Sequence, residues 1–232
     1  MAYNSKINND GTYRNLCGFT VISPIIGDMK FLQNYIEKNN ILKSYFSALP
    51  SSSYHVTIYG IWSNNSKLLE QQQKYIDNCK CCDKKEELYS LSISIGFFNP
   101  DNCLGQLFND IIKNCTDFRN EYTKTKNSIK LTIKQVYFNE TIGIIFEKND
   151  DMNEMDKIRN TIIKTCNKKD KGDLYHMTLA YKYKNTTQND NNNIKHEIDI
   201  LNMLLLKQTI TLDFPILTSF DDMTCFYPIN SK

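Results

Sequence analysis

The chain contains 232 residues, of which 41% are hydrophobic and 23% charged, and 28 Lys and Arg residues against 26 Asp and Glu residues give it a formal net charge of +2. A chain of this length can bury the core of one large domain, and its aromatic content of 12% argues against intrinsic disorder. The near balance of charge argues against a protein that coats DNA, because such a protein needs a clustered excess of positive charge.

No apolar run reaches the ~20 residues that a membrane-spanning helix needs, and Met1 to Gly11 contain no apolar stretch of the kind found in secretory signals. We therefore predict a cytoplasmic protein with no membrane partner. Its eight cysteines are then expected to be reduced thiols. The lone Cys79-X-X-Cys82 pattern lacks the second pair typical of zinc sites, so we expect solvated thiols there as well.

Apolar spacing and turn residues predict seven elements in the first half of the chain. In chain order they are a polar segment over residues 1–16 with a turn at Asp10-Gly11, a strand over 18–23, a helix over 28–38, a strand over 54–62, a helix over 66–79, a strand over 88–98 and a helix over 102–116.

The second half follows a similar course. The predicted elements are strands over 129–138 and 141–146 joined as a hairpin at Asn139-Glu140, a helix over 153–165, a polar loop over 167–173, a strand over 174–183, an Asn-rich loop over 185–193, a helix over 194–207, and strands over 209–214 and 216–220. This mixture of strands and helices predicts an α+β fold.

The two halves, about 17–127 and 128–232, share one pattern. In the first, the stretch from Gly18 precedes a helix and then Tyr54-His55-Val56-Thr57-Ile58. In the second, the stretch from Gly143 precedes a helix and then Tyr175-His176-Met177-Thr178-Leu179. We therefore predict one bilobal domain over 17–232, in which two halves are related by a pseudo-twofold axis and each contributes one histidine strand.

Strand periodicity gives the two His-X-Thr motifs a chemical meaning. Residues i and i+2 of a strand lie on the same face, about 6–7 Å apart, so His55 shares a face with Thr57, and His176 with Thr178. A twofold relation would bring both faces to one groove. One imidazole could then act as a general base and the other as a general acid, while the hydroxyls donate to phosphate oxygens on which charge develops. This arrangement suits in-line attack at phosphorus and requires no metal.

Two other interpretations of the histidines remain open. Each could be a structural strand residue whose polar atoms are satisfied by a neighbour. A zinc site is also conceivable, but no third ligand stands at a fixed spacing. The third histidine, His196, lies between Lys195 and Glu197 on a predicted helix, where we expect it to be exposed.

The paired His-X-Thr motifs resemble those of the two-histidine (2H) phosphoesterase superfamily, which includes the LigT-type RNA ligases and cyclic phosphodiesterases. The resemblance covers about residues 10 to 228. Three flanking stretches, 9–12, 49–55 and 220–228, also resemble one subfamily of that superfamily.

The resemblance implies a bilobal fold with two antiparallel sheets facing a central cleft and helices outside. It implies metal-independent chemistry on 2′-linked phosphates without a cofactor. By motif match, His55 and His176 take the catalytic roles, and Thr57 and Thr178 bind phosphate. The implied partner is a nucleotide or a short RNA as substrate, and we expect a monomer. The candidate substrates are 2′–5′ linkages, in oligoadenylates or in cyclic dinucleotides such as 2′,3′-cGAMP, and 2′,3′-cyclic phosphates of RNA processing. A non-catalytic nucleotide- or RNA-binding module is the rival interpretation.

Several residues near the motifs have alternative roles. By strict alternation Tyr59 shares the face of His55, so it could stack on a base or bind phosphate; packing is the alternative. Lys182 has the parity of His176, although an exposed strand-end lysine is the favoured interpretation. We expect Tyr54 and Tyr175 to be buried on the opposite faces of their strands, and Phe220 to pack in the core.

Overall fold

The computed structural model describes residues 6–16, 18–63, 103–166 and 174–229. The predicted helix over 66–79, the predicted strand over 88–98, the cluster Cys79 to Cys82 and the polar loop over 167–173 lie outside the described residues.

Nine strands and four α-helices form within these ranges, and they confirm the predicted α+β class. In chain order they are β1 (Gly18–Ile26), α1 (Lys30–Lys38), β2 (Phe46–Ala48), β3 (His55–Ser63), α2 (Cys103–Tyr122), β4 (Ile129–Phe138), β5 (Thr141–Phe146), α3 (Asp150–Thr165), β6 (His176–Lys182), α4 (Gln188–Leu205), β7 (Thr209–Leu212), β8 (Ile216–Asp222) and β9 (Cys225–Pro228). Short 3₁₀ turns occur at Leu42–Ser44 and Ser51–Ser53.

All strand pairings recorded among the described residues are antiparallel and join the nine strands into one sheet. Its order is β2-β6-β5-β4-β7-β1-β8-β9, and β3 pairs with β1. Strand β7 bridges the two parts of the sheet, because it pairs with β4 along Ile129–Thr132 and with the end of β1 at Ile25 and Ile26. The two histidine strands, β3 and β6, therefore belong to opposite parts of the sheet.

The predicted hairpin between β4 and β5 is confirmed. The backbone N–H of Asn139 donates to the carbonyl of Thr141 at 2.9 Å, and the Asn139 side chain accepts from the N–H of Thr141 at 3.1 Å. An Asn side chain that bonds its own turn in this way stabilises tight connections.

Two helix boundaries differ from the prediction by six residues: α2 continues to Tyr122 instead of ending at residue 116, and α4 begins at Gln188 instead of residue 194. Residues 188–193, predicted as the end of an Asn-rich loop, are the first turns of α4. A capping box starts this helix: the Thr187 side chain accepts from the N–H of Asp190, and the Asp190 carboxylate accepts from the N–H of Thr187. These bonds satisfy N–H groups that lack intrahelical partners, and they outweigh the low helix propensity of the asparagines. The short strands β2 and β9 were not predicted either.

The N-terminal segment, residues 6–16, is packed into the fold. Its predicted turn is present, with Gly11 at a φ of 86° that favours glycine. Ile7 and Leu16 are buried, and the segment contacts opposite parts of the sheet. The Tyr13 hydroxyl donates to the carbonyl of Ser47 beside β6, and the N–H of Leu16 donates to the carbonyl of Asp221 in β8.

Candidate functional site

The first motif opens β3, where burial alternates as the sequence predicts. His55 and Thr57 are partly exposed, whereas Val56 and Ile58 are buried. The strand follows the tight 3₁₀ turn Ser51–Ser53, which is anchored to α1 by a 2.9 Å hydrogen bond from the N–H of Ser51 to the Gln33 side chain. The turn therefore fixes the start of the strand and the direction in which the histidine points.

The second motif opens β6 with the same alternation. His176 is exposed and Thr178 is partly exposed, whereas Met177 and Leu179 are completely buried. Neither the Thr57 nor the Thr178 hydroxyl has a hydrogen-bond partner among the described residues. Both hydroxyls can therefore donate to an incoming oxygen without breaking an internal bond.

Both imidazoles are oriented by the same local contact. Nδ1 of His55 lies 2.7 Å from the carbonyl oxygen of Ser53, and Nδ1 of His176 lies 3.1 Å from the carbonyl oxygen of Leu174. A carbonyl oxygen can only accept, so Nδ1 carries the proton in each ring. The neutral imidazole then presents an unprotonated Nε2, the form that a general base needs.

The strands also share an irregularity directly after the threonine. In β3, Thr57 pairs with Ile22 and Tyr59 with Val21, so Ile58 is an extra residue in the ladder. In β6, Thr178 pairs with Gly143 and Ala180 with Ile142, so Leu179 is the extra residue.

An extra residue leaves its carbonyl out of the ladder. The carbonyl of Leu179 accepts from the N–H of Leu49 at 2.8 Å, and the carbonyl of Ile58 accepts from Nε of Arg159 at 2.9 Å. Each motif is thus held at the same position by a donor from another part of the fold.

The structure brings the two motifs together. Strands β3 and β6 are in contact although they are not paired, and the charge of His176 acts on His55. Burial lowers the pKa of His55 from 6.5 to about 4; the positive charges of Lys6 and His176 lower it as well, and the hydrogen bond to Ser53 opposes the shift. His55 is therefore neutral at physiological pH.

Phe226 in β9 is a site residue that sequence reasoning did not single out. Its ring packs against the His55 imidazole with centroids 4.3 Å apart and planes at 62°, and it also contacts the ring of Phe220. Phe226 lies within residues 220–228, one of the stretches that resemble a 2H subfamily, and that resemblance is the sequence signal that could have identified it. Phe220 is buried in the core, as predicted.

Lys6 also lies near the site. Its Nζ donates to the Tyr181 hydroxyl of β6 at 3.2 Å and stands 5.2 Å from the centroid of the same ring. Because its charge lowers the pKa of His55, the N-terminal segment contributes to the electrostatics of the site. Sequence reasoning treated this segment only as a polar extension.

The other candidates have clear positions. Tyr59 lies beyond the irregularity at Ile58 and packs against the core, so its substrate role stays a prediction. The expectation that Lys182 is exposed is wrong: its side chain is 7% exposed and its Nζ donates to the Thr186 hydroxyl at 2.8 Å. Tyr54 and Tyr175 are buried and His196 is exposed, as predicted.

The described part of the chain has neither a cluster of metal ligands nor a membrane-spanning helix. In that part of the chain, no group of three or more His, Cys, Asp and Glu side chains is arranged to hold a metal ion. None of the helices described is both long and apolar enough to span a bilayer.

Comparison with known proteins gives one relative by sequence and a likeness in fold. No protein-family model matches the chain. Uncharacterized protein 127L of Invertebrate iridescent virus 6 is 24% identical over 98% of this chain and 95% of its own length. The crystal structure of ATU0111 from Agrobacterium tumefaciens str. C58, a conserved protein of unknown function, superposes with a TM-score of 0.59 at 15% identity, covering 97% of this chain and 90% of that one.

A further solved structure, TT0787 of Thermus thermophilus, covers 86% of each chain with a TM-score of 0.40 at 8% identity. A TM-score of this size does not establish a shared fold. The bacterial protein ATU0111 thus shares the fold of this chain, and the viral protein resembles it along nearly its whole length.

Proposed function

We propose that this protein is a metal-independent phosphodiesterase of the 2H superfamily, which hydrolyses 2′-linked phosphodiesters in a nucleotide or a short RNA. The supporting observation is the matched geometry of the motifs. Both histidines have Nδ1 held by the carbonyl two residues earlier, and both precede the same strand irregularity. The matched geometry of two strands that contact each other supports one chemical role shared between the histidines.

The lowered pKa of His55 supports His55 as the base and His176 as the acid. A neutral His55, with Nδ1 donating to Ser53, offers the Nε2 lone pair as the general base. His176 then supplies the proton for the leaving group. We infer that water attacks phosphorus and gives its proton to Nε2 of His55. The bond from phosphorus to the leaving sugar oxygen breaks, and that oxygen takes a proton from Nε2 of His176. The acid and the base exchange protonation states and are reset through solvent.

The threonines complete the site. Thr57 and Thr178 lie on the same strand faces as the histidines, and their hydroxyls have no partner among the described residues. They are placed to donate to the two non-bridging oxygens, where negative charge builds in the transition state. The pseudo-twofold arrangement of the two parts of the sheet around a cleft belongs to this proposal, as do a monomeric state and a cytoplasmic location.

The test is hydrolysis by EDTA-treated protein, followed by mass spectrometry. The panel contains 2′–5′ oligoadenylates, cyclic GMP-AMP with and without a 2′–5′ bond, 2′,3′-cyclic nucleotides, and 3′–5′ controls. Cleavage confined to 2′–5′ bonds, and lost in His176→Ala, is the expected result. Cleavage of the 2′,3′-cyclic nucleotides alone would move the function to RNA processing. Tight binding without turnover of any member would overturn the enzymatic proposal in favour of a binding module.

A further inference from the structure

Arg159 of α3 is buried and contacts both histidine motifs. Its side chain is only 8% exposed, and its Nε donates to the carbonyl of Ile58 at 2.9 Å. Ile58 is the extra residue of β3, directly after Thr57. The bond therefore fixes the strand at the point where its ladder to β1 is interrupted.

The same guanidinium stacks on an aromatic residue at the start of the second motif. Its central carbon stands 3.8 Å from the centroid of the Tyr175 ring, a stacking distance. Tyr175 is buried and directly precedes His176. One side chain thus contacts the backbone of the first motif and the aromatic ring at the start of the second.

Arginine has the geometry for this task. Its guanidinium is planar and rigid, so it can donate in its plane to a carbonyl while its face stacks on an aromatic ring. A lysine ammonium can donate but has no planar face. Because β3 and β6 belong to opposite parts of the sheet, no ladder between them sets the distance from His55 to His176.

We propose that Arg159 is a positioning residue that sets the separation and relative orientation of His55 and His176. The effect of Arg159 on catalysis rests on the proposed function, whereas its effect on the separation of the two histidines does not. The test therefore begins with a measurement that needs no substrate.

The measurement is the effect of one histidine on the titration of the other. Because the charge of His176 lowers the pKa of His55, His176→Ala should raise that pKa, as followed by NMR of the His55 ring. We expect the same rise in the wild-type background and in Arg119→Met. Arg119 is the matched control: its guanidinium stands 5.4 Å from the Phe214 ring, on α2. In the Arg159→Met background, the increase in the His55 pKa caused by His176→Ala should be at most half of the wild-type increase, because the imidazoles are no longer held at a fixed distance.

A folded Arg159→Met protein that keeps the full rise would overturn the proposal. If this variant does not fold, Arg159→Lys provides the answer, since it keeps the charge and a donor for Ile58 but loses the stacking face. A partial loss of the rise in Arg159→Lys supports the proposal, and an unchanged rise overturns it. Tyr175→Leu removes the ring from the opposite side and should weaken the coupling in the same way.

Steady-state kinetics distinguish the positioning role of Arg159 from the proposed phosphodiesterase activity. On any substrate that the wild type cleaves, Arg159→Met should lower kcat by about 10- to 100-fold with KM within about twofold, because misplaced groups reduce the rate more than binding. Arg119→Met should leave both kcat and KM at their wild-type values. A protein without activity on any substrate that still loses the coupling in Arg159→Met would refute the proposed function and leave the positioning role standing.

Discussion

The two histidine strands have the same local design and different surroundings. His55 packs against the ring of Phe226 and bonds Ser53 at 2.7 Å, whereas His176 is exposed and bonds Leu174 at 3.1 Å. Burial lowers the pKa of His55 to about 4. The motif itself supplies a tautomer and a direction, while the proposed distinction between base and acid comes from the elements packed around it. On the side of His55, β9 contributes the ring of Phe226 to these surroundings.

The largest expected effect follows from removing either histidine. His55→Ala and His176→Ala should each lower kcat by about 10²- to 10⁴-fold, the usual contribution of one general acid or base. His196→Ala is the matched control, because His196 is exposed on α4, and it should retain wild-type turnover. Steady-state kinetics on the best substrate of the panel measures all three. Near-normal turnover by His55→Ala would refute the two-histidine mechanism.

Acid stability should also distinguish the two histidines. His55 has a pKa of about 4 in the folded protein and near 6.5 when unfolded. Above pH 6.5 the ring is neutral in both states, so it adds no pH dependence. As the pH falls from about 6.5 to about 4, only the unfolded chain takes up the proton, and folding loses stability. We expect this loss to be about 1–3 kcal/mol.

Urea unfolding at pH 7, 5.5 and 4 measures this effect. The free energy of unfolding of His55→Gln should decline less than that of the wild type over this range, since the variant lacks the group that the unfolded state protonates. His196→Gln should follow the wild-type curve. Parallel curves for wild type and His55→Gln would show that His55 is not held neutral by the fold.

A smaller effect is expected from opening the packing around His55. Phe226→Leu exposes the imidazole to water, so its pKa should rise from about 4 towards 6.5, by about one unit. The acid limb of kcat/KM should move to higher pH by the same amount, because His55 must be neutral to accept a proton. Phe118→Leu is a control, since the Phe118 ring packs on Tyr122. NMR titration and the pH–rate profile should agree; an unmoved pKa would mean that another element buries the ring.

The smallest expected effect concerns Lys6. Its positive charge lowers the pKa of His55, so Lys6→Met should raise that pKa by a few tenths of a unit at low salt. The difference should shrink as ionic strength increases, because salt screens partly exposed charges. NMR titration at two salt concentrations measures it. A salt-independent difference would point to a change in packing instead.

Local pattern was enough to predict most of the fold within the described residues. The β4–β5 hairpin, α3 and the two histidine strands follow from apolar spacing and from turn residues such as Asn139, which act over a few positions of the chain. The start of α4 was missed because the asparagines after Thr187 suggested a loop, although the Thr187–Asp190 capping box lies in the same stretch. Strands β2 and β9 are only three and four residues long, too short for a periodic signal.

For the candidate site, too, local sequence predicted some features and missed others. Strict alternation placed His55 with Thr57 and His176 with Thr178, and burial agrees with it up to the threonine of each motif. In β6 the alternation of burial ends at the extra residue Leu179, since residues 180–182 are all buried, whereas in β3 it continues to the partly exposed Tyr59. An irregularity of this kind depends on what the partner strand and neighbouring donors offer, and nothing in the strand's own sequence marks it.

The amino-acid sequence by itself determined the residues of the candidate site, because a side chain's chemistry and its face on a strand are local properties. It also determined the α+β class, through the periods of its apolar residues. Tertiary structure alone decided that β3 and β6 meet, that Arg159 contacts both motifs, and that burial and the charge of Lys6 lower the pKa of His55. Those contacts join residues far apart in the chain, and desolvation and charge act through space, so only the folded arrangement could set them.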